Sequence, residues 1–500
     1  MLAIEWICAT VIVAAISYLL HEFLWMKKRK RLPPGPKPLP ILGNLHLLGK
    51  NPHQDLFHLA KKHGPIMYMQ WGFVPAIIIS SPELAEKFLK THDLNFASRP
   101  YHEGSWYVAH EQRNLTFAKY GPYWRNMRKL CTLELLSNFK INQFQSMRKR
   151  ELGFLIESLK RASSDQVVVD LSGEVSSLSA NMSCLMIFGK KYMDKDFDDR
   201  GFKDVIQELL HIAAIPNLGD FFPFLGVLDL QGLTRRYKAL GKVFDDFLER
   251  IIDEHVHQSS NIPKQNRDFV DTMMSILQSG EADFEFDRRH IKSVLIDVLI
   301  ASMDTSATAV EWVFTELLRH PHYMKKLQEE IDEKVGMNST VEESNLDGLE
   351  YLDMVIKETF RLHPVAPLLL PHESIDDCII DGYHIPKKSR ILINTMAIGR
   401  DPMVWSEPER FFPERFVEDN VDIKGKDFRL IPFGSGRRMC PGMHLGLTVV
   451  RLVVAQLVHC FDWKLPNDMR PNDLDTNEVF GLVTSRANHL MAVPMYRLKE

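Results

Sequence analysis

Residues 432–442 read Pro-Phe-Gly-Ser-Gly-Arg-Arg-Met-Cys-Pro-Gly, the most informative pattern in the sequence. Its glycines allow a tight turn in which the backbone closely approaches a neighbouring group. Cys440 stands just before a long apolar helical pattern, so the positive end of that helix favours a thiolate, and Arg437 and Arg438 add positive charge. We therefore expect a deprotonated cysteine that ligates a metal or acts as a nucleophile. A nucleophile needs a histidine base, for which His444 is a weak candidate, and the residues alone do not choose between the two roles.

The composition is typical of a folded globular protein. The 500 residues are 45% hydrophobic and 25% charged, with a net charge of −4. This balance argues against a global nucleic-acid binder, whose basic face would show in the total charge. The six cysteines are scattered without zinc-type spacing, which indicates a reducing compartment. No low-complexity linker or internal repeat divides the sequence, and we expect one large domain.

The start of the sequence predicts a membrane anchor followed by a hinge. Residues 2–26 are apolar enough and long enough to span a bilayer. The five basic residues Lys27–Arg31 follow at once, and the positive-inside rule places everything after them in the cytosol. Prolines between residues 33 and 40 predict that residues 27–40 form a stiff, basic and proline-rich hinge. Residues 41–500 remain for the single large domain.

The body of the chain is predicted to be mainly helical with a minor β part. Tyr68–Ser80 is typical of two short strands around a turn. Lys292–Arg319 predicts a long helix, Val341–Leu362 contains another, and a last helix follows Gly442. Short strands and turns, such as one at Asp381–Gly382, are expected between them. The absence of an alternating βαβ pattern and of a glycine-rich phosphate loop from the sequence makes doubly wound nucleotide-binding folds unlikely.

The cysteine loop resembles the haem-binding loop of cytochrome P450, FxxGxRxCxG, at Phe433, Gly436, Arg438, Cys440 and Gly442. Further motifs agree with that family in order and spacing, and the resemblance covers essentially the whole chain. It is closest to plant endoplasmic-reticulum members that make specialised metabolites. The resemblance implies the cytochrome P450 fold, as one large catalytic domain preceded by a transmembrane helix. It also implies haem b as the cofactor, with Cys440 as the axial ligand of its iron.

Other residues are implied by the resemblance to hold the haem. Trp124 and Arg128 lie one helical turn apart and match a pair that hydrogen-bonds a haem propionate. Arg438 is expected to bond a propionate from the cysteine loop, and His372 to reach the other propionate. Phe433 and Gly436 complete the expected cofactor-binding set, as members of the loop itself.

A second motif, Glu358-Thr359-Phe360-Arg361, places an acid and an arginine on one helix face. In cytochromes P450 this pair is buried and completed by a loop arginine, which corresponds to Arg415 here. Buried charges are tolerated only when all their partners are present. The resemblance therefore implies that Glu358, Arg361 and Arg415 form a structural triad behind the haem loop.

The long helix carries Ala301-Ser302-Met303-Asp304-Thr305-Ser306, similar to the family pattern [AG]-G-x-[DE]-T-[TS]. The resemblance implies that Asp304 and Thr305 are catalytic and support proton delivery to oxygen. A threonine side chain can also bond the carbonyl four residues back and loosen a helix locally. Ser302 departs from the family, which has glycine there, and its hydroxyl can hold a water.

The function implied by the resemblance is that of a membrane-bound haem-thiolate monooxygenase. Such an enzyme inserts one oxygen atom from O2 into a small hydrophobic plant metabolite, either an aromatic of phenylpropanoid type or a terpenoid. Because the sequence has no flavin or nicotinamide fingerprint, NADPH and flavin act only through NADPH–cytochrome P450 reductase in the same membrane. The expected location is the endoplasmic reticulum, as a single-pass protein with a cytosolic catalytic domain. The resemblance also suggests five residues that contact the substrate: Ala301, Val365, Ala366, Leu369 and Phe480.

Two other functions remain open at this point. A haem-thiolate isomerase or dehydratase would need no reductase, and a non-catalytic scaffold would hold pathway enzymes at the membrane. The intact pair Asp304 and Thr305 counts against both, because neither activity requires proton delivery to oxygen.

Overall fold

The computed structural model describes residues 32–192, 202–258, 267–280, 282, 284–417 and 419–499. The predicted anchor at residues 2–26 and the basic start of the hinge lie outside the described residues. The part of the hinge that is described lies against the body, where the Tyr68 N–H donates to the Pro34 carbonyl over 2.8 Å. Gly35 permits this approach, since a Cβ there would stand 1.9 Å from the Tyr68 carbonyl oxygen.

Helices make up most of the described chain. In chain order they are Pro52–His63 (α1), Pro82–Glu86 (α2), Glu103–Val108 (α3), Pro122–Leu130 (α4), Asn138–Gln143 (α5), Gln145–Ser164 (α6), Leu171–Phe188 (α7), Phe202–Ala214 (α8), Leu218–Phe221 (α9), Pro223–Gly226 (α10), Leu233–Gln258 (α11), Phe269–Ser279 (α12), Arg288–Arg319 (α13), Pro321–Val335 (α14), Glu350–Leu362 (α15), Thr395–Gly399 (α16) and Met443–Cys460 (α17).

The strands are short and form small sheets. In chain order they are Ile66–Trp71 (β1), Val74–Ile79 (β2), Val169–Asp170 (β3), His372–Glu373 (β4), Cys378–Ile380 (β5), Tyr383–Ile385 (β6), Arg390–Ile393 (β7), Phe461–Lys464 (β8), Glu478–Val479 (β9), Ser485–Arg486 (β10) and Met491–Tyr496 (β11). The largest sheet has the order β1-β2-β7-β4, and β2 and β7 pair in parallel with Ile77 opposite Ile391. The predicted fold class, mainly helical with a minor β part, is confirmed.

Helix α13 forms the centre of the body. It begins at Asp287, whose carboxylate accepts the N–H groups of Arg289 and His290, and it ends just before Pro321. Most of its side chains are buried, and it packs against α7 and α17. The helices predicted on Lys292–Arg319, within Val341–Leu362 and after Gly442 are thus confirmed as α13, α15 and α17.

Two helices in the described ranges, α13 and α17, are long and apolar enough to cross a membrane by length and composition. Both are mostly buried within the body, which is how a core helix behaves.

Strands β1 and β2 match the prediction for Tyr68–Ser80, with the turn at Gly72 and Phe73. The Asp381–Gly382 turn joins β5 to β6.

Candidate active site

Two internal chambers meet between α13 and the loop that precedes α17. The large chamber has a volume of about 360 Å³ and the small chamber about 170 Å³. Thr305, Phe433 and Cys440 line both. The cysteine and the threonine singled out by the sequence therefore face the same internal space, although they are far apart along the chain.

The cysteine loop is shaped by its backbone. Gly436 has φ +69°, and a Cβ at this position would lie 2.0 Å from the Leu89 carbonyl oxygen, so the turn requires glycine. The Cys440 N–H donates to the Phe433 carbonyl over 2.9 Å, which closes the loop just before α17. The Phe433 ring packs edge-on against Phe360 of α15, with the ring centroids 5.9 Å apart. These contacts hold the Cys440 side chain at the chamber wall.

Burial opposes the effect of the local positive charge on Cys440. Burial raises the pKa of the thiol, and it outweighs the opposing effects of the Gly442 N–H and of Arg128. Arg437 does not help, because its side chain turns outward and pairs with Asp93 over 2.9 Å. Binding of a metal releases the thiol proton, because the thiolate is the form that ligates.

Three arginines line the large chamber: Arg99, which is buried, and Arg128 and Arg438, which are partly buried. Arg438 donates to the carbonyls of Ala97 and Ala118, over 2.7 Å and 2.6 Å, and its guanidinium lies 4.0 Å from the Trp124 ring centre. Arg128 donates to the Met439 carbonyl over 2.6 Å. Arg99 and Arg438 are both held on main-chain carbonyls, and burial lowers the pKa of each.

Trp124 differs from its expected role. Its single N–H donates to the Leu115 carbonyl over 2.9 Å and is therefore used within the protein. What Trp124 offers is the ring face on which Arg438 stacks.

His372 lies in β4 at the edge of the large chamber. Its Nδ1 donates to the Phe96 carbonyl over 2.8 Å, which leaves Nε2 as the free ring nitrogen. Burial, followed by the nearby Arg99, lowers the pKa of the imidazole well below its usual value. Nε2 can bond a carboxylate only when it carries a second proton, so an anion bound here must also stabilise the protonated ring.

The structure brings Glu358, Arg361 and Arg415 together. Arg361 makes two hydrogen bonds of 2.8 Å to the Glu358 carboxylate, and Arg415 Nε lies 2.9 Å from the same group. Glu358 is 0% exposed and Arg361 is 1% exposed. The spare arginine N–H groups bond main-chain carbonyls of the segment before Arg415, including that of Pro408. The triad thus ties α15 to the chain that leads into the cysteine loop.

Helix α13 passes the chambers without a break. The Thr305 hydroxyl donates to the Ala301 carbonyl over 2.7 Å. The Ser302 hydroxyl bonds the Leu299 carbonyl at 3.3 Å, and the Ser302 carbonyl accepts from Ser179 of α7. The Thr305 bond is the one that the sequence suggested, and α13 is continuous through these residues. Asp304 lines neither chamber, and burial raises the pKa of its carboxyl group.

Four of the five suggested substrate contacts line the large chamber: Ala301, Val365, Ala366 and Leu369. Phe480 does not. Its ring stacks on His53 of α1 at 5.3 Å, within a cluster formed by α1 and the β1–β2 pair. Leu482 and Val483, which follow it, line the chamber instead. The structure gives no support to a substrate contact for Phe480.

The comparisons with known proteins agree with this geometry. The family model for cytochrome P450 matches residues 33–491. A cytochrome P450 of Panax ginseng is 52% identical, with 98% of each chain covered. A flavonoid 3'-monooxygenase of Petunia hybrida is 40% identical over 97% of this chain and 96% of the relative. A phenylacetaldehyde oxime monooxygenase of Prunus mume is 40% identical over 94% of this chain and 90% of the relative.

The chain is a cytochrome P450. It is a haem-thiolate monooxygenase of the group found in plants, and the iron ligand is the cysteine of the loop, Cys440.

The residues of the site fit a haem with its two propionates. Within the described ranges, Arg99, Arg128 and Arg438 have no carboxylate partner, and burial, Arg99 and Arg128 lower the pKa of Arg438 against the opposing effect of Tyr120. Withdrawing such cations from water without a counter-charge is costly, so a bound anion would stabilise this part of the cytochrome P450. Propionates supply that charge, and arginine is well suited to bind a planar carboxylate.

Sequence reasoning missed Arg99 among these cations. It lies in the short stretch Phe96-Ala97-Ser98-Arg99-Pro100, and no spacing relates it to the cysteine loop. Its charge within an otherwise apolar and buried segment was the available signal. Only the fold shows that it stands beside His372 and Arg438.

Replacing Arg438 by alanine is expected to reduce the haem bound per protein severalfold, because one of three cations facing the propionates is lost with its loop contacts. The measurement is haem content against total protein after purification. Arg437→Ala is the matched control, since this neighbouring arginine faces solvent and pairs with Asp93. Equal haem content in the two variants would contradict the assignment of Arg438.

Proposed function

We propose that this cytochrome P450 inserts one oxygen atom from O2 into a small hydrophobic plant aromatic at a membrane surface. Electrons come from NADPH and are passed on by NADPH–cytochrome P450 reductase. The observation that carries the proposal is that Cys440 and Thr305 line one chamber with a largely apolar wall. The Petunia and Prunus relatives are named for a flavonoid and for an aromatic oxime, which supports an aromatic substrate over a terpenoid.

The side of the large chamber away from the cysteine loop is apolar. It is lined by side chains of α3, α8 and α13 and of the segment after α15, among them Val108, Leu209, Ile300 and Val365. A small number of polar side chains, His102 among them, line the same chamber, as in most binding sites for small hydrophobic molecules. A substrate placed here is in contact with Ala301, one helical turn before Thr305.

The reaction balances as C–H + O2 + two electrons + two protons giving C–OH + water. Haem, when bound, supplies oxygen activation that no side chain can provide. Cys440 would hold the iron as a thiolate, a ligand that would favour O–O cleavage. Thr305 presents a hydroxyl on the chamber wall, where it can hold a water that delivers protons. Asp304 lies next to it and retains a proton to higher pH than an exposed carboxyl, because it is buried.

An exposed apolar surface supports the proposed location at the endoplasmic-reticulum membrane, with one N-terminal span and a cytosolic body. Phe73 and Phe224 lie side by side with ring centroids 5.6 Å apart, and Phe224 is 60% exposed. Val227 is 90% exposed and Ile41, just after the hinge, is 70% exposed. Large exposed apolar residues grouped in this way are characteristic of a membrane-contacting surface.

The proposal is tested by reconstituting the full-length protein with haem, reductase and NADPH under isotopically labelled O2. A panel of plant aromatics and terpenes is supplied as substrate. We expect an aromatic product that carries one labelled oxygen atom, formed only when NADPH is present. Turnover without NADPH would indicate an isomerase or dehydratase, no turnover of any compound would favour a scaffold, and a labelled terpene alone would overturn the aromatic class.

Replacing Thr305 by valine is expected to lower the product formed per NADPH by about tenfold or more, because the hydroxyl that holds the proton-delivering water is lost. Electron consumption continues, since the haem-binding residues are unchanged. The measurement is the ratio of product to NADPH consumed. Thr305→Ser keeps the hydroxyl and is expected to retain most of the coupling, and a Val variant coupled as well as wild type would refute the role of Thr305.

A further inference from the structure

His102 is a polar residue of the large chamber that the reaction does not use. It is the N-cap of α3, where its Nδ1 accepts the Ser105 N–H over 3.0 Å. The ring stacks on Phe117 with centroids 4.3 Å apart and an angle of 9° between the planes. Both contacts fix the orientation of the imidazole.

The hydrogen bond from Ser105 also fixes the tautomer. Because Nδ1 is an acceptor, the proton of the neutral ring must be on Nε2. Burial, followed by the positive charge of Arg390, lowers the pKa of His102 to about 4, so the ring is neutral at physiological pH. Nε2 has no hydrogen-bond partner in the described part of the chain, and His102 lines the chamber. The ring thus carries an N–H donor for which the described ranges provide no acceptor.

Neighbouring polar groups are already paired. The Ser105 hydroxyl donates to Asn114 Oδ1 over 2.8 Å, and the Asn114 amide donates to Asp297 of α13 over 2.7 Å. The Tyr237 hydroxyl donates to the Ile212 carbonyl over 2.9 Å. The chain of bonds from His102 through Ser105 and Asn114 joins α3 to α13, and it holds the imidazole in a set position relative to the helix that carries Thr305.

We propose that His102 determines substrate specificity by donating its Nε2–H to an oxygen acceptor, such as a ring carbonyl, on the aromatic substrate. The inference rests on the proposed function and narrows it to oxygenated aromatics. A substrate without the acceptor leaves a donor unpaired in an apolar chamber, and an unmade hydrogen bond of this kind is a strong basis for discrimination. The substrate oxygen held at His102 then selects which carbon lies nearest the cysteine loop.

Flavanone and flavan provide the test, because flavan lacks the ring carbonyl and is otherwise the same molecule. The haem-loaded, full-length protein is titrated with each compound and the dissociation constant is read from the Soret band. We expect wild type to bind flavanone roughly fivefold or more tightly than flavan, the effect of one neutral hydrogen bond. Equal affinities in the wild type would overturn the proposal.

Two variants separate the donor from packing and from the helix cap. His102→Ser keeps a side chain that caps α3 but removes the ring N–H, so it is expected to abolish the preference for flavanone. Phe117→Leu removes the stacked ring and keeps the donor, so it is expected to weaken the binding of flavanone and of flavan by the same factor. An unchanged melting temperature shows that each variant is folded. If His102→Ser weakened the binding of flavanone and of flavan by the same factor, His102 would be a packing residue only.

The failure of this inference is distinguishable from failure of the proposed function. If wild type gives no Soret response to either compound but still forms labelled, NADPH-dependent products from other aromatics, the role of His102 as a carbonyl donor is overturned and monooxygenation stands. Loss of labelled product from every compound would overturn the proposed function itself.

Discussion

Replacing Cys440 by serine is expected to remove monooxygenase activity to below detection. A serine hydroxyl does not provide the thiolate that donates electron density to iron, and without that donation O–O cleavage is disfavoured. The loop itself should still form, because the closing bond joins the Cys440 N–H to the Phe433 carbonyl and involves no side chain. The measurements are product formation with reductase and NADPH, and the position of the Soret band.

Cys378→Ser is the matched control for this experiment. Cys378 lies in the β5–β6 hairpin and lines neither chamber, so its variant should have the activity and the spectrum of wild type. Product formation by the Cys440 variant at more than a trace of the wild-type rate would refute the central assignment of the site.

Replacing Glu358 by glutamine is expected to destabilise the fold by about 3–5 kcal/mol, because it leaves Arg361 and Arg415 buried without a counter-charge. That loss is a large share of the roughly 5–15 kcal/mol by which proteins are usually stable. We expect little folded protein to accumulate, with haem lost together with the fold. The measurement is the free energy of unfolding in denaturant, or the yield of folded protein if the variant is too unstable to purify.

The control for the Glu358 variant is Glu407→Gln. Glu407 pairs with Arg410 over 2.8 Å and both side chains are mostly exposed, so this change should cost less than about 1 kcal/mol. Equal effects of the two substitutions would show that burial does not govern the energy of the triad.

Local patterns predicted those parts of the fold that depend on neighbouring residues. The strand pair at Tyr68–Ser80 and the helices on either side of the cysteine loop follow from apolar periodicity and turn residues. The triad required the resemblance, because nothing local links Arg415 to a glutamate 57 positions earlier. Docking of residues 32–40 on β1 was not predicted either, since it depends on a close approach at Gly35.

In the candidate site, too, some features follow from the local sequence and others depend on contacts between distant segments. The glycine of the tight turn, Gly436, was visible in the sequence, and its positive φ is found. The effect of burial on the pKa of Cys440 could not be predicted from local charge, because burial is a property of the whole fold. The free Nε2 of His102 and the position of Phe480 on α1 likewise depend on contacts between distant segments.

The parallel pairing of β2 with β7 has a consequence for synthesis on the ribosome. Ile77, Ile78 and Ile79 are fully buried in the finished sheet, but their partners in Arg390–Ile393 emerge only after about 300 more residues, or roughly 15–60 s of translation. During that time the edge of β2 is unpaired and apolar, which makes it prone to associate with other nascent chains. Slower synthesis therefore lengthens the exposure of this edge, and overexpression of the chain should benefit from chaperones that shield short apolar strands.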